Sequence, residues 1–521
     1  MLNSDKRHRH NLECRDPVHG FVYLSEAEWA IVDCPTFQRL RDIRQLAMGH
    51  LVYPGATHTR FEHSLGCLHL SDVIYQAVKR QVEQGNCPNF AQAFRADEEQ
   101  TKHGRQILRL AGLLHDLGHP PFSHSGEQLM PEMEIDGRRR RVQHEDMTAK
   151  LIRETEIAET LKNEFGEETG EQVIAVATKP ELAKLPHGAD LAWYRFLNDV
   201  LTGELGSDRM DYLLRDAIHS GQTVGLFDHR KLIDSMTIVP PPEETGEEHR
   251  LGLDEAGWLV AEQMVAARYL MYVALYFHKT KRIYEMHLED FLAKWLEREF
   301  GQPHFPVDPV ARYVRLTDSR VWSAIYESAQ DREDELKDLA KPFVDRSHLR
   351  LACELLLADN YESPAGLASV DEMLKALGNR LRPLMKGQAE PEDALGALRG
   401  DLGKILQRRH PRVWNGKRFD KLVGAAHNHV SNKLGSRVRR DETRHHAAKF
   451  FGPKDRIWVY LDRETRYLDV LSEVVSGMPD RIWRGRLYAD KQHRDEVKSF
   501  CEKWLADHPL AGGDDDVLSD P

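Results

Sequence analysis

Between Leu113 and His124 the chain reads Leu-Leu-His-Asp-Leu-Gly-His-Pro-Pro-Phe-Ser-His, placing three histidines and a carboxylate within a few positions. Imidazoles and carboxylates at this density can bind a divalent cation, and the same groups can move protons. Ile107, Leu110, Ala111 and Leu114 recur at helical steps just upstream, so His115 and Asp116 stand side by side at a helix end, able to address one ion. Gly118 loosens the backbone and Pro120 pushes its predecessor toward extended geometry, which predicts a helix stop near His119. His119 and His124 then fall on a turn.

Two other segments can complete such a shell. In Thr57-His-Thr-Arg-Phe-Glu-His-Ser-Leu-Gly66, the residues Arg60, His63, Cys67, Leu70 and Ile74 follow three- and four-residue steps, so a cation and a ligand share one helical stripe. In Ser207–His219, Asp208, Tyr212, Arg215 and His219 share another, with Asp216 beside them.

The order His63, His115-Asp116, Asp208 resembles that of the HD superfamily of metal-dependent phosphohydrolases. Asp16-Pro-Val-His-Gly20, Phe37-Gln-Arg-Leu-Arg41, Gln45-Leu46, Tyr53-Pro-Gly-Ala-Thr-His58 and Arg60-Phe-Glu-His-Ser-Leu-Gly66 are similar to segments of the deoxynucleoside triphosphate triphosphohydrolases, in the branch of the sterile-alpha-motif/HD enzymes and their bacterial relatives. The resemblance covers residues 13 to 290 and weakens beyond.

It implies His63, His115, Asp116 and Asp208 as metal ligands, a set suited to iron, manganese or zinc, with magnesium allowed. Arg60, Arg209 and Tyr212 would hold phosphate oxygens. His119, His124, Glu127, His144 and Glu145 would form the acid/base cluster, with His124 as proton donor to the 5′ oxygen. Glu127 stands where the vertebrate-type enzymes carry aspartate, and Arg209 where they carry lysine. The resemblance further assigns the sugar 3′ hydroxyl to Gln45 and Asp216, and the wall against the 2′ carbon to Leu46 and Tyr284. Ala47 replaces a glycine of those enzymes. Asp33, Gln38 and Arg41 match positions that bind an activating guanine nucleotide at a subunit interface. An equally weighted reading makes Asp33 a cap before Pro35 and leaves Gln38 and Arg41 on a polar helix face. A homo-oligomer, dimer or tetramer, is implied as well.

Composition narrows the function classes. The 521 residues are 41% hydrophobic and 30% charged, with no apolar run long enough to span a bilayer and no secretion signal. Cys14, Cys34, Cys67, Cys87, Cys353 and Cys501 are scattered without a CxxC pair, which fits a reducing cytoplasm and excludes a disulfide scaffold. A formal charge of -12 argues against nucleic acid as the main partner. A triphosphate would need local arginines and a metal instead.

The fold class is mainly α, an HD-type helical core carrying a small α/β C-terminal appendage. Residues 1–12 form a flexible arm, 13–300 the catalytic domain, 301–445 a helical extension, 446–510 the appendage and 511–521 a disordered tail. Phe21–Leu24 alternates as a short strand, and helical periodicity runs from Glu26 to Thr202 with breaks at 49–57, 85–88 and 119–125. Arg138–Arg141 reads as a solvated basic loop, with phosphate contact the alternative, and Pro240–Glu248 as a surface excursion. Ile457–Leu461, Tyr467–Val474 and Ile482–Tyr488 read as strands closed by a helix over Glu496–Trp504. Competing functions are another HD phosphohydrolase, acting on nucleoside monophosphates or cyclic nucleotides, and a nucleotide sensor without turnover.

Overall fold

A computed structural model of the chain describes residues 10–84, 98–135, 137–241, 249–356, 361–362, 413–414, 416–433, 438–445, 456–478 and 482–508. The expectations for most of the N-terminal arm, the 85–88 break, most of the 240–248 excursion, much of 301–445 and the 511–521 tail lie outside these residues.

The chain divides into two units, one made of Met1–His348 with His446–Arg481, the other of Leu349–His445 with Ile482–Pro521. The first is mainly helical. Its centre is the 24-residue helix Arg60–Glu83, which packs against Glu98–Leu114 and Ser207–Ser220. Leu65, Cys67, Leu68, Ile74, Tyr75 and Val78 of the first helix and Ile107, Leu108, Leu110, Ala111 and Leu114 of the second are buried in one continuous core. Gly66 sets the spacing to the third helix. A Cβ there would lie 1.9 Å from Asp211 Oδ1 and 2.5 Å from Arg215 Nη2, so any side chain would push those groups away from His63.

An N-terminal hairpin, His10–Asp16 paired with Gly20–Ser25, lies on this core. Its turn is fixed by Asp16, whose Oδ1 accepts the Val18 and His19 N–H groups at 2.8 and 2.9 Å, and by Gly20 at φ +80°. The turn thereby presents His19 inward.

Several expected elements take another form. The helix before the His-Asp pair ends at Leu114 rather than near His119, and His124 opens a short helix of its own, His124–Glu127. Gly118 matters for close approach more than for looseness: a Cβ there would meet His144 O at 2.2 Å and Thr148 N at 2.3 Å. The basic stretch is no loop but a hairpin strand, Arg138–Arg141 against Glu132–Ile135, with Arg140 forked on Asp146 at 2.7 and 2.8 Å. The strand expected to begin at Tyr467 ends there. Two short helices follow, Leu468–Leu471 and Glu473–Gly477, because Leu468 and Val475 turn inward at helical spacing and Ser472 caps the second.

The strands expected together in one appendage are shared between the units. Trp458–Leu461 and Glu464–Tyr467 extend a four-stranded sheet of the first unit, where Val459 pairs in parallel with Leu253. In the second unit Ile482–Ala489 lies between Val438–His445 and Arg350–Leu356, antiparallel to both. Its face buries Phe419, Leu422, Leu487, Val497 and Cys501 under the helices Gly416–Lys433 and Arg494–Asp507.

Candidate metal centre and hydrolytic site

His63 lies in the first turn of its helix, His115 and Asp116 just past the end of theirs, and Asp208 in the first turn of Ser207–Ser220. Packing the three helices brings the four side chains together. His63 Nε2 is 3.1 Å from Asp208 Oδ1 and 3.5 Å from Asp116 Oδ2. His115 Nε2 is 3.4 Å from Asp116 Oδ1 and 3.7 Å from Asp208 Oδ1. Neighbouring ligands on one cation, at bonds of about 2.0–2.2 Å, stand about 3 Å apart, so the cluster is close to the size of a coordination shell.

Both imidazoles are aimed by their outer nitrogens. His63 Nδ1 donates to Asp211 Oδ2 at 2.7 Å and His115 Nδ1 to the Gly112 carbonyl at 2.9 Å, which turns each Nε2 inward. His115 Nε2 is buried and has no hydrogen-bond partner. A buried ring nitrogen without a hydrogen-bond partner, facing two carboxylates, is the observation that fits the four residues to a divalent cation. Burial alone would raise the Asp208 and Asp116 carboxyls, but His115 and His63 pull the first, and Arg60, His115 and His119 the second, well below the usual carboxylate range.

Cys67 Sγ also borders the cluster, at 3.5 and 3.6 Å from the two ring nitrogens of His63. Its sulfur, with His63, His115 and Asp208, offers a ligand atom within 4.8 Å of the others, so Cys67 is a second candidate for the fourth position beside Asp116.

Beside the shell lies a second constellation. Glu127 accepts from His144 Nδ1 at 2.5 Å and from His124 Nδ1 at 2.9 Å, while His119 stacks on His144 at 3.9 Å. Burial would raise the Glu127 carboxyl, yet its bonds from His124 and His144 hold it well below the ordinary value. His119 is pushed well down by burial, Arg60 and His144, so its imidazole is neutral. Its Nε2 is 3.3 Å from Asp116 Oδ1. Glu145 lies 3.5 Å from His144 Nδ1. The His124 side chain is 70% exposed, open to an incoming molecule.

Residues 60–215 match the family model of an HD domain, and residues 227–340 that of an HD-associated region. The Bacillus subtilis protein YwfO is 30% identical over 350 residues, covering 64% of this chain and 70% of its own length. The chain belongs to the HD-domain phosphohydrolase family. Among other relatives of this HD protein, the deoxynucleoside triphosphate triphosphohydrolase SAMHD1 of Xenopus laevis is 26% identical, covering 64% of this chain and 54% of its own. The chain thus spans about half to two thirds of the length of such curated relatives. A crystal structure of a hypothetical protein from Aquifex aeolicus is 27% identical, with a TM-score of 0.62 over 94% of this chain and 99% of that one.

Other expected site residues of the HD protein fall into three groups. Arg60 is buried and committed to the shell: Nη1 pairs with Asp116, and Nε donates to Ser123 Oγ at 2.7 Å. Arg209 is braced by the Gly203 carbonyl at 3.0 Å and Glu204 at 3.0 Å. The other Glu204 oxygen holds Arg268 at 2.7 Å, so one carboxylate sets two guanidiniums side by side. Tyr212 packs edge-on to Tyr276 at 6.3 Å.

Asp216 is buried between His58 Nε2 and Tyr276 OH, both at 2.7 Å. The Tyr284 ring is buried against His348 at 4.5 Å and Phe343 at 6.0 Å, and Tyr276 is a tyrosine bonded to Asp216. Gln45 has a buried Oε1 without a partner, next to the buried Leu46. Ala47 adopts φ +48°, a left-handed conformation that explains glycine at this position in the resembling enzymes.

At the third location, Asp33 closes the C-terminal end of helix Glu26–Val32 instead of capping the next one, whose N-cap is Cys34. Gln38 donates to the Val32 carbonyl at 2.7 Å and accepts from Arg41 Nε at 2.7 Å. Arg41 lies over the Phe61 ring at 3.5 Å.

Sequence reasoning missed Asp211, His19, Glu204, Arg268 and Tyr276. Asp211 accepts from His19 Nε2 at 2.6 Å as well as from His63, and Arg215 bonds both its oxygens at 2.8 and 2.9 Å. Arg215 also reaches Asp16 at 2.7 Å, so the Asp-Pro-Val-His-Gly segment braces the back of the candidate metal shell.

Proposed function

We propose that this HD protein hydrolyses deoxynucleoside triphosphates to a deoxynucleoside and inorganic triphosphate. The observation that carries the reading is the meeting of His63, His115, Asp116 and Asp208 around one point, with the His124–Glu127–His144 cluster at its edge. His63, His115, Asp116 and Asp208 would hold a divalent ion, which would supply charge neutralisation and Lewis acidity.

The chain's own groups account for the remaining requirements. Water adds to the α-phosphorus, the bond from phosphorus to the 5′ oxygen breaks, and the departing oxygen needs a proton. Glu127 fixes His124 with Nδ1–H toward itself, leaving the Nε2–H of the imidazolium to deliver that proton, while the proton of the attacking water passes to solvent. His119, kept neutral, lies beside Asp116 without adding charge. Arg209 and Arg268 supply positive charge for the triphosphate chain. Asp216, braced by His58 and Tyr276, and the unpaired Oε1 of Gln45 suit the sugar hydroxyl. The SAMHD1 relatives, named as triphosphohydrolases of this substrate class, support the choice.

The test is chromatography of products from single and paired deoxynucleoside triphosphates with iron, manganese, zinc and magnesium. Intact triphosphate with free deoxynucleoside is expected. Release of orthophosphate or pyrophosphate, or turnover of monophosphates alone, would overturn the assignment.

A further inference from the structure

Asp318, the first residue of helix Asp318–Gln330, is buried at 1% exposure far from the metal ligands in sequence. Its Oδ1 accepts the backbone N–H of Phe122 at 2.7 Å, and its Oδ2 that of Arg44 at 3.0 Å. Phe122 and Ser123 adopt φ +61° and +53°, two successive positive-φ residues, neither of them glycine. L side chains resist this conformation, so the turn needs an outside restraint.

The restraint connects to the site on both sides. Ser123 Oγ donates to the Arg44 carbonyl and accepts from Arg60 Nε, each at 2.7 Å, and Arg60 pairs with Asp116. Arg44 is bridged to Thr59, the residue before Arg60, and is followed by Gln45. His124 comes directly after the positive-φ pair.

We propose that Asp318 is a positioning residue of the hydrolytic site: by grasping the Phe122 and Arg44 N–H groups together, its carboxylate holds the turn that aims His124. The proposal rests on the reading of His124 as proton donor. A neutral carboxylic acid is a weaker acceptor at the oxygen carrying the proton, so the grasp is strongest when Asp318 is ionised. Burial, opposed by the two N–H groups and assisted by Asp42, pushes Asp318 up to about 7, with Arg44 and the buried Arg39 as the cations that face it. Asp42 is itself held by Ser319 Oγ at 2.6 Å. The turn therefore loosens as pH falls through neutrality, and turnover should fall with it.

The test uses the full chain labelled with ¹⁵N-phenylalanine, the Phe122 amide being assigned by substitution. In the wild type this resonance should titrate near neutral pH, and in Asp318→Asn it should not. The variant should keep its bound metal yet lose about 10–100-fold in kcat, the scale of a misplaced catalytic group, together with its acidic limb. Asp42→Asn should move both the amide midpoint and that limb to lower pH. A folded Asp318→Asn with kcat within about twofold of wild type and an unchanged limb would overturn the proposal. If Asp318→Asn fails to fold, an Asp42→Asn protein with neither midpoint nor limb displaced overturns it instead. An amide that titrates and responds to Asp42→Asn, in a protein that cleaves no deoxynucleoside triphosphate, supports the grasp while removing the substrate assignment.

Discussion

Asp211 Oδ2 accepts the Nδ1–H of His63 at 2.7 Å, with both residues fully enclosed. The bond selects the tautomer that turns His63 Nε2 toward Asp208. Asparagine at 211 would offer its amide in place of one carboxylate oxygen and release the ring. Asp211→Asn should weaken metal affinity about 10–100-fold, read by chelator competition. Unchanged affinity would mean that packing alone orients His63.

Removing a ligand should act more severely. His115→Ala or Asp208→Ala should lose bound metal and activity together, measured by elemental analysis beside product release. Full occupancy in both variants contradicts the ligand assignment.

His124 has a different signature. Its substitution by alanine should leave metal content intact and lower kcat by about 10²–10⁴-fold. Glu127→Gln should reproduce part of that loss, because it removes the acceptor that fixes the His124 ring.

The two tyrosines give an internal control. Tyr276→Phe deletes the hydroxyl that donates to Asp216 and should raise KM for a deoxynucleoside triphosphate about tenfold, the worth of one hydrogen bond to a charged group. Tyr284→Phe, in the His348 and Phe343 packing, should leave kcat/KM unchanged. Equal effects would place Tyr284 at the sugar as well.

Stability should vary with pH at Asp199. Burial, against the opposing pull of Arg250 and the Leu251 N–H, pushes its carboxyl up to about 6. The folded chain then keeps a proton that the unfolded chain has already lost, so stability declines as pH rises from 4 through 6. Asp199→Asn should remove this slope, by about 1–2 kcal/mol for a partly exposed group. Denaturant melts of both proteins between pH 4 and 8 check it.

The four candidate ligands were legible because an adjacent His-Asp pair and two polar stripes at helical spacing survive in one dimension. Asp211 carried the same signal, three residues after Asp208 on the same helix, but its partner His19 is 192 residues away, and only folding shows the contact. Tyr276 was hidden by a local irregularity: Tyr272–Tyr276 forms a widened π turn, which defeats counting in steps of 3.6. Glu204 sits between helices, where periodicity is silent. The mainly α class followed from long apolar periods in Arg60–Glu83 and Glu98–Leu114. Strand segments near the C-terminus were visible too, but their sheet partners were not, since pairing such as Val459 with Leu253 depends on residues 206 positions apart.

That last pairing bears on the order of synthesis. The first unit's four-stranded sheet gains Trp458–Leu461 and Glu464–Tyr467 only after the whole of the intervening 349–445 stretch has left the ribosome. Until then Arg250–Leu253 has one uncovered edge, a template for pairing with a neighbouring chain. A gene cut after residue 348 would make that nascent condition permanent, yielding a protein with every candidate metal ligand in place and an adhesive flank.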